Sequence, residues 1–114
     1  MVRLRNITRD YDLATDVEAA TDIVSRFCGL MLRGSLPQGK ALWIRPCGSI
    51  HMLFMRFAID AVFIDKDNRV TKVATNVRPW VGMSFGGRKS HSVFELPVGS
   101  ASGTLPGDQL EVAT

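Results

Sequence analysis

Ser49-Ile50-His51-Met52-Leu53-Phe54-Met55-Arg56-Phe57-Ala58-Ile59-Asp60-Ala61-Val62-Phe63-Ile64-Asp65 is the densest apolar run of the chain, yet it carries His51, Arg56, Asp60 and Asp65. Extended backbone from Ala58 onward puts Asp60 on one face with Val62 and Ile64, and Ile59 with Phe63 on the other. A carboxylate set among aliphatics costs several kcal/mol unless it is paired and hydrogen-bonded, so Asp60 requires a cationic or donor partner. His51 and Arg56 are nearest in sequence, and Arg26 and Arg33 are further candidates. The expectation is a polar cluster at the centre of the fold.

Working outward, Asp65-Lys66-Asp67-Asn68 separates two β-rich runs, and Asn tolerates positive φ, which predicts a β-hairpin. The second run, Val70 to Val77, stops at Arg78-Pro79 because proline supplies no ladder donor. Val81 to Ser90, with three glycines and Arg88-Lys89, reads as a mobile surface loop. Ser92 to Leu96 and Gln109 to Val112 read as strands. On the N-terminal side, Val2 and Leu4 alternate with Arg3 and Arg5 as in a half-buried strand, Leu13 to Ala19 fits strand or helix, and Ala41 to Ile44 is strand-like. From Thr21, Ile23, Val24, Phe27, Leu30 and Met31 follow helical spacing, and Gly34 and Pro37 end the pattern. One helix and six to eight short strands predict an α+β fold: a small curled antiparallel sheet or barrel-like β domain with one covering helix, as a single domain over residues 1–114.

The 114 residues are 46% hydrophobic and 22% charged, the composition of a globular domain rather than a disordered tail. No run approaches the ~18 apolar residues of a membrane span. The N-terminal Met-Val-Arg-Leu-Arg-Asn leads into no apolar stretch, so no cleaved signal is expected and a cytoplasmic location is the default. Cys28 and Cys47 offer neither a disulfide framework nor zinc-ligand spacing. The net charge of +3 argues only weakly for an anionic partner.

Pro46-Cys47-Gly48-Ser49-Ile50-His51, Phe54-Met55-Arg56-Phe57 and Ile59 to Asp65 carry a family resemblance. So do Arg26 with Gly29-Leu30-Met31, Pro79-Trp80, Phe94-Glu95-Leu96-Pro97 with Gly99, and Gly107-Asp108. In order and spacing the chain resembles domain-of-unknown-function family 192, with Met52 and Ala58 standing where Thr and Pro are expected. The resemblance implies a mostly β bacterial or archaeal domain with no established activity, some of whose relatives look exported.

Three readings of the site compete. Cys47, His51 and Asp60 have the residue types of a Cys-His-acid hydrolase, in which His51 deprotonates Cys47 and Asp60 fixes the imidazole tautomer; a thiol in an apolar context is more often inert core. Cys47, His51, Met52, Met55, Met83 and His91 include soft donors that suit copper(I), but without ligand spacing, and neither metal nor cofactor is expected. Trp80, Arg88 and His91 can wall a pocket over a rigid β scaffold. Glu95, between Phe94 and Leu96, is expected at solvent or beside an arginine such as Arg78. The preferred reading is a non-catalytic binding module for a small polar ligand or peptide segment, with His51, Arg56, Asp60, Trp80, Arg88 and His91 as binding residues. A hydrolase and a structural or accessory interaction protein are the alternatives. Nucleic acid is disfavoured because aromatic and basic residues are not interleaved on one strand.

Overall fold

The computed structural model describes residues 2–20, 34–52 and 55–113, which form ten strands: β1 (Arg3–Asn6), β2 (Tyr11–Ala14), β3 (Asp16–Ala20), β4 (Lys40–Ile44), β5 (Ser49–His51), β6 (Ile59–Ile64), β7 (Val70–Val77), β8 (Met83–Phe85), β9 (Ser92–Pro97) and β10 (Leu110–Ala113). They make a five-stranded sheet in the order β3-β4-β9-β6-β7, a three-stranded sheet β10-β1-β2, and a two-stranded ribbon β5-β8. All neighbours pair antiparallel except β3 and β4, which run parallel from Asp16↔Lys40 to Ala20↔Ile44.

Strands β6 and β9 lie at the middle, and every residue of both is buried. Their alternation feeds two cores. Val62, Ile64, Phe94 and Leu96 pack with Leu4, Leu13 and Leu110 of the three-stranded sheet. Ile59, Ala61, Phe63 and Val93 face the other way and pack with Ile50, Met52 and Met55 on the ribbon side. Burial on both faces explains why the central run is so apolar; a strand with one wet face would alternate. At the rim of the first core Trp43 stacks on Phe94 with centroids 5.0 Å apart, donates from Nε1 to Ser92 Oγ at 3.0 Å, and carries the Arg45 guanidinium 3.9 Å over its ring.

This corrects the expected fold class. Among the described residues there is no helix, and the strands form several sheets, none closed into a barrel, in place of an α+β domain with a curled sheet under one helix. The segment whose spacing suggested a helix from Thr21 lies outside the described residues. Leu13 to Ala19, left open between helix and strand, divides between β2 and β3.

The hairpin at Asp65 to Asn68 is present, with Asn68 at φ 63° and the Asp65 carboxylate accepting the N–H groups of Asp67 and Arg69 at 2.9 Å each. Val81 to Ser90 is not a loop throughout, because it contains β8, paired with β5 from Ser49↔Phe85 to His51↔Met83. Two of its glycines serve close approach. A Cβ on Gly82 would stand 2.5 Å from the Arg78 carbonyl oxygen, and one on Gly86 2.4 Å from the Phe63 ring.

Candidate functional site

Asp60 is 1% exposed, on the face of β6 opposite Ile59 and Ala61. Among the described residues its partners are backbone N–H groups. Oδ1 accepts the Asn76 N–H at 2.9 Å, and Oδ2 accepts those of Gly99 at 2.9 Å and Ala101 at 3.2 Å. The first bond caps a bulge: Ile59 pairs with Val77 and Ala61 with Ala74, so Thr75 and Asn76 oppose Asp60 alone, with Asn76 at φ 51°. The other two fix the turn after β9, where Gly99 has φ +96°. These three N–H donors occupy acceptor positions on both carboxylate oxygens.

A second buried carboxylate fixes the far end of the same connection. Asp108 Oδ2 accepts from Arg9 Nε at 2.7 Å, from Leu105 N–H at 2.9 Å and from Asn6 Nδ2 at 2.9 Å. Burial alone would raise its pKa, but the bonds from Arg9, Leu105 and Asn6, with the Arg9 charge, hold it below the usual carboxylate range. Asn6 Nδ2 also reaches Thr104 Oγ1 at 3.3 Å, and Thr104 bonds to the Tyr11 hydroxyl, which donates to the Ser102 carbonyl at 3.1 Å. Sequence reasoning missed this network. Asn6 and Arg9 lie about a hundred positions from Asp108 along the chain, and the pairing of β1 with β10 brings them together.

Between these anchors runs an open groove of about 380 Å³ with polar and apolar lining in nearly equal measure, formed among others by Tyr11, Asp12, Leu13, Gln38, Ser100 and Ser102. Ser100 Oγ bonds to Gln38 Oε1 at 3.4 Å, and Asp12 is paired with Arg3 and Arg5. Strand β2, at the edge of its sheet among the described residues, lines the groove along its whole length. A smaller hollow of about 240 Å³ lies among Asp16, Glu18, Leu36, Pro37 and Lys40.

Several of the other residues singled out from sequence lie on or beside the ribbon. His51 pairs with Met83, Trp80 N–H donates to the Met52 carbonyl at 2.7 Å, and Cys47 N–H donates to the His91 carbonyl at 2.8 Å. Trp80, Arg88 and His91 are exposed, and so is Arg56 in the bend before β6. Trp80 has φ 69°, left-handed backbone that costs a bulky residue about 1 to 2 kcal/mol. Met52 and Met55 are buried while Met83 is exposed, which divides the soft donors between interior and surface. Cys47 packs at the edge of the ribbon-side core, and its thiol donates to the Ser49 carbonyl at 2.9 Å. Cys47 and Asp60 thus lie on opposite faces of the central sheet. Glu95, expected at solvent or beside an arginine such as Arg78, is buried in β9 opposite Leu42 and Ala61.

Asp60, Gly99 and Asp108, which build the groove's loop, are among the positions on which the family resemblance rests. A model of domain-of-unknown-function family 192, described as uncharacterised ACR, matches residues 5–112. The chain belongs to this family. UPF0127 protein PF1050 of Pyrococcus furiosus is 32% identical over 80 residues, a match spanning 66% of this chain and 66% of that protein. Two solved structures share the fold. A protein of unknown function from Novosphingobium aromaticivorans superposes with a TM-score of 0.82 at 23% identity, over 96% of this chain and 82% of that one. A Sinorhizobium meliloti protein suggested to be a transcription regulator gives 0.81 at 28% identity, over 97% and 91%. Family 192 is uncharacterised, and among the described residues no helix is long and apolar enough to cross a membrane.

Proposed function

We propose that this family 192 chain is a non-catalytic binding module, and that its groove takes a short extended peptide segment or, failing that, a small polar ligand. The observation that carries the reading is the position of β2: an edge strand along a groove offers backbone groups to an added strand. Hydroxyl and amide side chains at Tyr11, Gln38, Ser100 and Ser102 suit an uncharged polar occupant, and Gly39 and Gly99 keep the walls low. The two buried carboxylates make the wall rigid, which lowers the entropy lost on binding.

The hydrolase alternative is disfavoured by the separation of Cys47 from Asp60 across the sheet and by the engagement of its thiol with Ser49. Likeness to the Sinorhizobium protein introduces nucleic acid as a competing partner, disfavoured here because aromatic and basic side chains are not interleaved.

The test is amide chemical-shift mapping with a pool of short synthetic peptides and a panel of free amino acids and sugars. Shifts are expected at Tyr11 to Thr15 and Gly99 to Ser102, and they should disappear in Ser100→Trp, which fills the groove. Shifts confined to other regions, or unchanged in Ser100→Trp, would overturn the assignment.

A further inference from the structure

We propose that the segment from Trp80 to Phe85 docks the protein on an anionic lipid bilayer, its apolar side chains entering the headgroup boundary and Arg78, Arg88 and Lys89 lying against lipid phosphates. Trp80, Val81, Met83 and Phe85 are 51%, 81%, 63% and 62% exposed. Alternation along β8 turns Ser84 inward and Met83 and Phe85 outward. The glycines hold them there. Gly82 and Gly86 seat the ribbon against Arg78 and Phe63 too closely for side chains to fold beneath it, and Trp80 is presented from left-handed backbone.

Charge argues for the occupant. From Asn68 to Phe94 the sequence has no Asp or Glu but has Arg69, Lys72, Arg78, Arg88 and Lys89, which leaves nine cations against 11 acids in the rest of the chain. Arg78, Arg88 and Lys89 bracket the apolar segment, are exposed, and make no ion pair among the described residues. Exposed aliphatic and aromatic side chains flanked in sequence by Arg and Lys match an interface where acyl chains lie beneath anionic headgroups. A stable protein interface needs ~800 Å² per partner, more than four side chains on a turn supply. Single-stranded nucleic acid fits less well, since Val81 and Met83 offer no π-face for a base.

The experiment is cosedimentation of the protein with phosphatidylcholine vesicles with and without phosphatidylglycerol, alongside anisotropy with a labelled single-stranded oligonucleotide. Trp80 emission is read in Trp43→Phe. Expected are binding to phosphatidylglycerol vesicles that weakens with salt, a blue shift of Trp80, and loss of at least tenfold in partition for Met83→Ser with Phe85→Ser. Each of Arg88→Gln and Lys89→Gln should weaken partition about fivefold. Met83, Phe85, Arg88 and Lys89 are exposed, and unchanged circular dichroism and melting temperature establish folding of each variant, including the Trp43→Phe background. Equal partition onto neutral vesicles, no partition onto either kind, or tighter capture by the oligonucleotide through the same residues would overturn the proposal. It is independent of the groove, so Ser100→Trp should leave vesicle binding unchanged.

Discussion

Asp60 Oδ2 in strand β6 accepts the Gly99 N–H at 2.9 Å, joining the centre of the five-stranded sheet to a turn 39 residues further on. The bond sits beside the groove, since Gly99 and Ser100 line it and Ala101, held by the same oxygen, belongs to the core beneath. Asp60 here fastens backbone from a bulge and a turn.

Both oxygens of Asp60 act only as acceptors. In Asp60→Asn, either orientation of the amide points an NH2 at a backbone N–H, so the isosteric change should cost about 2 to 3 kcal/mol. Asp60→Ala strands three buried donors and should cost about 3 kcal/mol or more. Urea unfolding checks both; a loss under about 0.5 kcal/mol would mean that water replaces the carboxylate.

Asp108 predicts a pH dependence with a definite sign. Its folded pKa is depressed, so its stabilisation is complete above the unfolded value near ~4 and is lost as pH falls through the folded value. Melting temperature should drop on acidification below about pH 4. The Asp108→Asn protein should be less stable at neutral pH and show a flatter acid limb, with thermal melts from pH 7 to pH 2 as the measurement.

Gly86→Ala places a Cβ 2.4 Å from the Phe63 ring and 2.4 Å from Ser90 Oγ. Phe63 is fully buried and cannot yield without moving the core, so the added methyl should cost about 1 to 3 kcal/mol. Gly87→Ala is a contrast with open space around it but φ +96°, and it should cost about 1 kcal/mol from backbone alone. Denaturant midpoints of the two variants separate crowding from strain.

Asn68, at φ 63° in the β6-β7 hairpin, should accept glycine within about 0.5 kcal/mol and lose about 1 to 2 kcal/mol to valine, whose branched Cβ clashes in left-handed backbone. Unfolding free energies of Asn68→Gly and Asn68→Val give the comparison.

Local signals carried the strands well. The Asp65 to Asn68 turn, the Val70 to Val77 run and the Ser92 to Leu96 run depend on neighbours in sequence, and each lies where alternation and turn chemistry put it. Strand β8 escaped because three glycines and two cations read as a loop, whereas Gly82 and Gly86 are demanded by contacts to Arg78 and Phe63 that only the fold creates. That Asp60 needed donors was legible from the aliphatics around it. That the donors were Asn76, Gly99 and Ala101 was not, because side-chain identity says nothing about which backbone N–H a turn leaves unpaired. Asn6 and Arg9 lacked any signal short of the pairing of β1 with β10.

That pairing has a consequence for synthesis on the ribosome. Arg3 meets Ala113 and Asn6 meets Leu110, so β1, the first of the described strands in sequence, waits for β10, the last of them, before its sheet is whole. Until then the Asn6 amide, buried in the finished protein, has neither Thr104 nor Asp108 to bond with. A chain lacking residues 104 to 108 therefore offers the Asn6 amide water in place of these two partners, and burying it would cost the free energy of an unpaired polar group.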